Sequence, residues 1–421
     1  MRTDKGRDEA AAPEGFQRER PWLFGLLIAP MAVLANGVNG GAISYLFRSQ
    51  GVGPARGAAI IALLTLPQTI YFLWSPVTDF LMRRRTWLMV AATAAGLGVL
   101  MAFHQSRLDG SVAVGLMFGS ACLGQLIVAS CGGMMGTLHS VTSRRRASSF
   151  YQGGSLAFGA LAVMVLVLLA GRMRMGSMGW IVAAMIALPS LAALAAPEQN
   201  TVGELGVRES LSQIWREFKA TFLRWGAIPY TLTMLFPMCS GAMIALLPGL
   251  AVDYGVSGGQ VAWVNGLGGA LLMAAGALAA SLAPASVRAP VAYLVSGLVN
   301  AAVLAVLWLG PQRPAVYFAG TVLFLFTIGA GYALFTAVVL EFLGGSGKSG
   351  SARYSIINSM GNVPVAYMTY LDGRSYDHWG ARGMPGTDVV LSVIGASLLL
   401  LYFLTYGRRR RTGAAEVEAS A

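Results

Sequence analysis

In 421 residues the chain spends 56% on hydrophobic side chains and only 11% on charged ones, under half the charged share of a soluble domain. With 53 glycines and a mean hydropathy of +0.63, this composition excludes an ordinary soluble domain and describes a chain that crosses a bilayer many times. The net charge of +12 does not point to nucleic acid, because the basic residues are scattered through short connections rather than gathered on one face.

Residues 1–20 form a polar tail. An apolar run of about 20 residues spans a bilayer core of about 30 Å as a helix. Such runs fall at 22–47, 57–82, 86–104, 110–136, 150–171 and 178–196. After a polar interval they resume at 226–251, 260–283, 290–309, 315–343, 354–371 and 385–406. The first is too long for a signal-peptide core and is kept as a mature helix. The predicted fold is therefore all-α: a polytopic membrane protein of twelve transmembrane helices in two six-helix pseudo-repeat bundles. The expected domains are a tail at 1–20, bundles at 21–196 and 226–406, a linker at 197–225 and a basic tail at 407–421. Inside the linker Val207, Leu211, Ile214, Phe218 and Phe222 recur at helical spacing, which predicts an amphipathic helix tethering the bundles.

Roughly three quarters of the lysines and arginines fall on one set of alternate connections, together with the tails. Arg83–Arg85, Arg144–Arg146, Arg288, Arg353 and Arg408–Arg411 are among them. That bias places both termini in the cytoplasm. The cysteines Cys122, Cys131 and Cys239 lie unpaired in apolar runs, and His104, His139 and His378 form no ligand set. No metal and no cofactor are expected. Laying Arg146 over Arg353 brings Ser148 over Ser355 and Gly154 over Gly361 at the starts of the fifth and eleventh runs. Two halves repeated about an axis along the membrane normal are a transporter plan.

The second run ends in Ser75-Pro76-Val77-Thr78-Asp79-Phe80-Leu81-Met82, followed by Arg83-Arg84-Arg85. A carboxylate at a helix lip and a basic cluster after a short gap predict a hinge loop between membrane helices. This stretch resembles the signature loop of the major facilitator superfamily, with Ser75 and Met82 in place of its two glycines. Several further segments resemble the branch of AmpG-type muropeptide permeases and acetyl-CoA transporters. They are Leu66-Pro67, Phe72-Leu73-Trp74-Ser75-Pro76, Tyr151-Gln152-Gly153-Gly154 and Asn362-Val363-Pro364-Val365-Ala366-Tyr367-Met368-Thr369 with Asp372-Gly373. The resemblance implies a monomeric secondary carrier of the bacterial inner membrane. It would work by alternating access across the lipid bilayer, with a small-molecule substrate (muropeptide-, siderophore- or sugar-like) and protons as partners. A coenzyme A thioester antiporter, an uncoupled exporter and a transporter-like receptor are the alternatives.

In a carrier of this plan every third helix faces lipid and the rest line a central cavity. Asn36, Asn39, Gln68, Tyr71, Gln152 and Asn358 are the expected substrate-binding residues, with Tyr230, Asn265 and Tyr332 behind them. Interhelical hydrogen bonding is the competing role for each amide. The expected gate and coupling residues are Asp79, Arg83, Arg84, Arg85, Arg288, Glu341 and Arg353. By resemblance, Asp79 meets the N-terminus of the eleventh helix. Glu341 is expected to pair with Arg288 or Arg353. All carboxylates are placed in tails, loops or span ends, with Glu341 and Asp388 as proton candidates. No nucleophile, base or metal set converges in the interior, so an enzyme is not expected.

Overall fold

The structure is a computed structural model that describes residues 20–74, 77–78, 82–136, 138, 141–196, 212, 215–216, 218–219, 222–223, 227–280, 282, 284, 286–343, 356–357 and 359–419. Asp79, Arg353 and Asn358 lie outside the described residues, as do Val207, Leu211 and Ile214 of the linker.

Among the described residues the chain is all-helical, and its helices form twelve spans in two six-helix bundles. The first comprises α1 (Leu23–Ser49), α2 (Pro54–Leu73), α3 (Arg84–Phe103), α4 (Ser111–Gly136), α5 (Val141–Leu169) and α6 (Met175–Ala195). The second opens on α7, which comes in two pieces, α7a (Ile228–Leu235) and α7b (Ala242–Leu250). There follow α8 (Gly258–Ala280), α9 (Ala289–Leu309), α10 (Pro314–Leu343), α11 (Val363–Trp379) and α12 (Gly383–Ala419). Starts follow local chemistry. Proline occupies the first turn of α2, α9 and α11, where its missing N–H has no helical partner to lose. Ser257 and Gln260 form a reciprocal capping box on α8.

Several boundaries differ from the periodicity reading. α2 ends at Leu73 rather than 82, and α12 runs on through the arginine cluster to Ala419. α11 continues past 371 to Trp379, where Gly380 at φ 62° turns the chain into α12. Its last two turns are polar, so hydropathy stops early, yet they pack between α2 and α12 and stay helical. The consequence is a correction. Asp372 is not a span-end carboxylate; it is fully buried, about two turns from the end of α11.

The first helix of each bundle is irregular. α1 is wound as a π-helix over Ala32–Ala42, a stretch holding Asn36, Asn39 and three glycines, Gly37, Gly40 and Gly41. Between α7a and α7b the residues Phe236 to Gly241 are unwound, with Cys239 at φ 49° and Gly241 at φ 78°. The offset that lays Arg146 over Arg353 lays only the start of the π segment, Ala32 to Leu34, over the end of this break, Cys239 to Gly241; the rest falls on α7b. Of the linker, Trp215, Phe218 and Phe222 stack in sequence at ring separations of 5.6 and 5.1 Å. Phe222 also meets Phe342 of α10 at 6.1 Å.

Candidate functional site

The break in α7 frees backbone carbonyls at a depth where water cannot serve them, and each needs a donor. Three neighbouring helices supply hydroxyls. Tyr367 of α11 donates to the Leu235 carbonyl at 2.7 Å, Ser392 of α12 to Pro237 at 2.7 Å and Tyr293 of α9 to Met238 at 2.8 Å. Tyr332 of α10 presses its hydroxyl onto Gly241, where a Cβ would overlap it. The unwound segment is thus held in place from four sides.

On α1, Asn36 is exposed in mid-span, and its amide donates to Ser155 Oγ of α5 at 3.0 Å. A Cβ at Gly37 or Gly41 would run into Ala162 or Val163, so these glycines let α5 approach the π segment. Gln152, one turn before Ser155, is exposed, and Gln68 is half-buried. Asn39 is buried, with neither amide atom hydrogen-bonded. Tyr71 is also buried. The other expected binders are committed to protein. Asn265 donates to Tyr317, which is fully buried and itself donates to the Leu247 carbonyl. Tyr230 donates to Glu341 Oε1 at 2.8 Å.

That last bond belongs to a cluster at the end of the bundle that carries the basic connections. Glu341 Oε1 lies 3.5 Å from Arg288, Oε2 accepts the Ala289 N–H at 3.0 Å, and Arg288 donates to the Tyr230 hydroxyl at 3.1 Å. Arg288 also lies over Phe403 of α12, 5.6 Å from its ring centre. All of these partners belong to the second bundle. In the first, Arg84 donates to the Gly133 carbonyl at 2.9 Å, near the C-terminus of α4, where a cation suits the helix dipole. Arg83 precedes α3 and is exposed; Arg85 is half-buried.

The opposite end holds residues that the sequence reading passed over. Arg48, in the last turn of α1, meets Asp253, just beyond α7b, at 2.6 Å. Tyr376 of α11 donates to the same Asp253 oxygen at 2.9 Å, and Arg48 sits over its ring. One turn inward, Ser44 Oγ accepts the Gly249 N–H at 3.2 Å, and a Cβ at Gly249 would crowd Ser44. Gly373 of α11 touches Ala58 of α2 in the same manner. These contacts join the two bundles. Also at this end, Asp109 bridges Arg56 and Arg107 at 3.0 and 2.8 Å. The hydrogen bond from Arg107 holds its carboxyl below the ordinary carboxylate value, against the cost of burial. Only the position of Arg48 and Asp253 at ends of the first helix of each half could have signalled the inter-bundle pair.

No protein-family model and no curated protein matches the chain. Solved structures do match over nearly its whole length. The nucleoside transporter NupG superposes with a TM-score of 0.66 at 12% identity, covering 91% of this chain and 98% of that one. A POT family transporter in complex with 5-aminolevulinic acid gives 0.70 at 10% identity, covering 91% and 95%. A D-xylose-proton symporter gives 0.67 at 13% identity, covering 90% and 95%. The class is thus a multi-pass membrane protein with a paired six-helix architecture. The particular architecture is the major facilitator fold.

Proposed function

We propose that the protein is a secondary carrier that moves a small organic solute by alternating access. The observation that carries this reading is the Arg48–Asp253–Tyr376 cluster. It joins the two bundles at one end of the molecule, where the first helix of each bundle ends, and each of these helices is irregular further in. A latch of this kind closes one face of a central pathway and can be exchanged for closure at the other. The basic connections assign the latched end to the outside and the termini to the cytoplasm of a bacterial inner membrane. In that orientation the latch lies on the outer face.

The substrate would lie against Asn36, Ser155 and Gln152 on one side and Tyr332 with the unwound α7 segment on the other. These groups are neutral hydrogen-bonding partners. No arginine or lysine sits in mid-span to neutralise a permanent anion. This favours a neutral or amphipathic solute, muropeptide-, siderophore- or sugar-like, over a coenzyme A thioester. The solved relatives are transporters of nucleosides and xylose and a peptide-family carrier, a range that supports small polar solutes. Proton coupling and descent from the AmpG-type branch belong to the same proposal, on the resemblance of the Asp79 loop and the α11 segment.

Uptake into proteoliposomes tests it, with sugar-peptides, siderophores, nucleosides and sugars offered with and without an inward-directed pH gradient. The expected result is saturable uptake of one class, accelerated by the gradient and lost in Asn36→Ala. Equal permeation into empty and loaded vesicles for every class would refute the carrier reading.

A further inference from the structure

Two carboxylates lie deep in the second bundle, on helices that neither the cavity nor the latch requires to be acidic. Asp388, about 8 Å along α12 from its start, is 4% exposed, and Asp372 on α11 is fully buried. The two helices that carry them pack against one another. Neither oxygen of Asp372 has a hydrogen-bond partner. An isolated ionised carboxylate in such surroundings costs so much that the group instead takes up a proton.

No cation answers them among the described residues of the elements packed around the pair. Arg48 of α1 is on Asp253, Arg56 of α2 is on Asp109, and Arg382 donates to the Gly310 carbonyl. Arg374 and His378 of α11, with Asp377, are exposed. The other titratable groups around the break are the hydroxyls of Tyr293 and Tyr367, each on a carbonyl of the break, and the buried thiol of Cys239.

The hydrogen-bond pattern locates one proton. Ser392 Oγ lies 2.7 Å from the Pro237 carbonyl oxygen and 3.0 Å from Asp388 Oδ1. A serine hydroxyl has one hydrogen to give, and a carbonyl oxygen only accepts. Of the two acceptors within reach, Pro237 is the nearer, and the serine hydrogen is assigned to it. The Asp388 contact is then attractive only if Asp388 carries its own hydrogen and donates it to Ser392. An ionised Asp388 would compete for the serine hydrogen and strip it from Pro237, one of the three carbonyls exposed by the α7 break.

We propose that Asp388, with Asp372 beside it, is a proton-binding site whose occupancy sets the α7 break. Protonated Asp388 donates to Ser392, and Ser392 caps Pro237. On release, the proton leaves the Asp388 carboxyl for water, the carboxylate accepts the Ser392 hydroxyl, and the Pro237 carbonyl loses its cap. α7b carries the chain to Asp253, so the hinge beside Pro237 governs the latch. The proposal rests on the carrier reading for its purpose but not for its test.

Infrared spectroscopy of the purified full-length protein in lipid, at about pH 7, reads neutral carboxyl groups directly, since ordinary carboxyls are ionised there. A neutral-carboxyl band is expected in the wild type. It should lose a component in Asp388→Asn, whose amide can still donate to Ser392 and keep the fold. It should shift in frequency in Ser392→Ala, and it should not change when choline replaces sodium. Asp372→Asn should remove a second component or alter the first. A wild-type spectrum without the band, or one unchanged in Asp388→Asn, would overturn the assignment. Loss of the band on adding sodium would replace the proton with a metal cation. Failure of transport in vesicles would leave all of these spectra interpretable.

Discussion

On the proposed carrier reading, Asp253→Asn should unlatch the end of the molecule at which Arg48 and Asp253 meet. The carboxylate takes two bonds on one oxygen, from Arg48 at 2.6 Å and from the Tyr376 hydroxyl at 2.9 Å. The Arg48 and Asp253 side chains are 20% and 17% exposed. A fully exposed pair is worth about 0–1 kcal/mol. Truncating one partner of a fully buried pair costs about 3–5 kcal/mol. At this exposure, and with the amide keeping some hydrogen bonding, about 1–3 kcal/mol is the reasonable loss. Because the pair exists only while the outer end is closed, the whole loss appears as a shift between states, about 5–150-fold. Spin labels on Gly53→Cys and Gly259→Cys read it, since both positions open onto free space. The measurement uses a Cys122→Ala background, Cys131 and Cys239 being buried. Double electron–electron resonance should show a longer distance gaining population in Asp253→Asn, with partial recovery when Arg48→Asp is combined with Asp253→Arg. Unchanged distance distributions in Asp253→Asn would refute the latch.

Gly241→Ala should destabilise the protein, by about 1–2 kcal/mol for the left-handed backbone alone and further by overlap with Tyr332. Thermal unfolding in detergent checks this, and adding Tyr332→Phe should recover only the second part. Asp109 has a carboxyl held below its ordinary value by Arg107, so its contribution is complete above the unfolded pKa of about 3.9 and fades as pH falls through the folded value. Melting temperatures of wild type and Asp109→Asn should therefore differ at neutral pH and converge only as pH falls below the unfolded value and through the lower folded one. Glu341→Gln should slow transport without loss of expression, and exchanging the charges of Glu341 and Arg288 should restore part of the rate; no recovery would reduce the cluster to a static brace.

Hydropathy made most spans legible because lipid demands long apolar helices, and α3, α9 and α10 begin or end within a few residues of the runs that predict them. It failed where a helix is stabilised by its neighbours rather than by its own composition. The last two turns of α11 read as loop, and Asp372 was misplaced with them, since no local pattern shows that α2 and α12 will enclose Gly373 and Asp372. The α7 break was equally hidden: Phe236-Pro237-Met238-Cys239-Ser240-Gly241 is apolar enough to pass as continuous helix. The pairing of Glu341 with Arg288 was readable from charge and span ends alone. That of Arg48 with Asp253 needs the bundles already docked, which is why these two escaped notice. Tyr230 and Asn265 illustrate the limit for single polar residues in spans: composition cannot separate a cavity lining from a bond to the next helix, and here both are bound to protein.

The two irregular helices suggest why the halves are not equivalent. In the first bundle the π segment of α1 is seated on α5 through glycines, at Gly37 and Gly41, so its shape is fixed by close packing. In the second, the break in α7 is fixed by three separate hydroxyl caps from α9, α11 and α12. Packing of small residues against a backbone has one good arrangement. Hydroxyl caps have two, because a hydroxyl can turn to another acceptor at little steric cost. One of these three, Ser392, has a carboxyl as its other neighbour. On the proposed carrier reading, one element must be stable in two states and others must not. By this argument α7 is the moving part, α1 the fixed one, and the Arg48–Asp253 contact is where the first helix registers what the seventh has done.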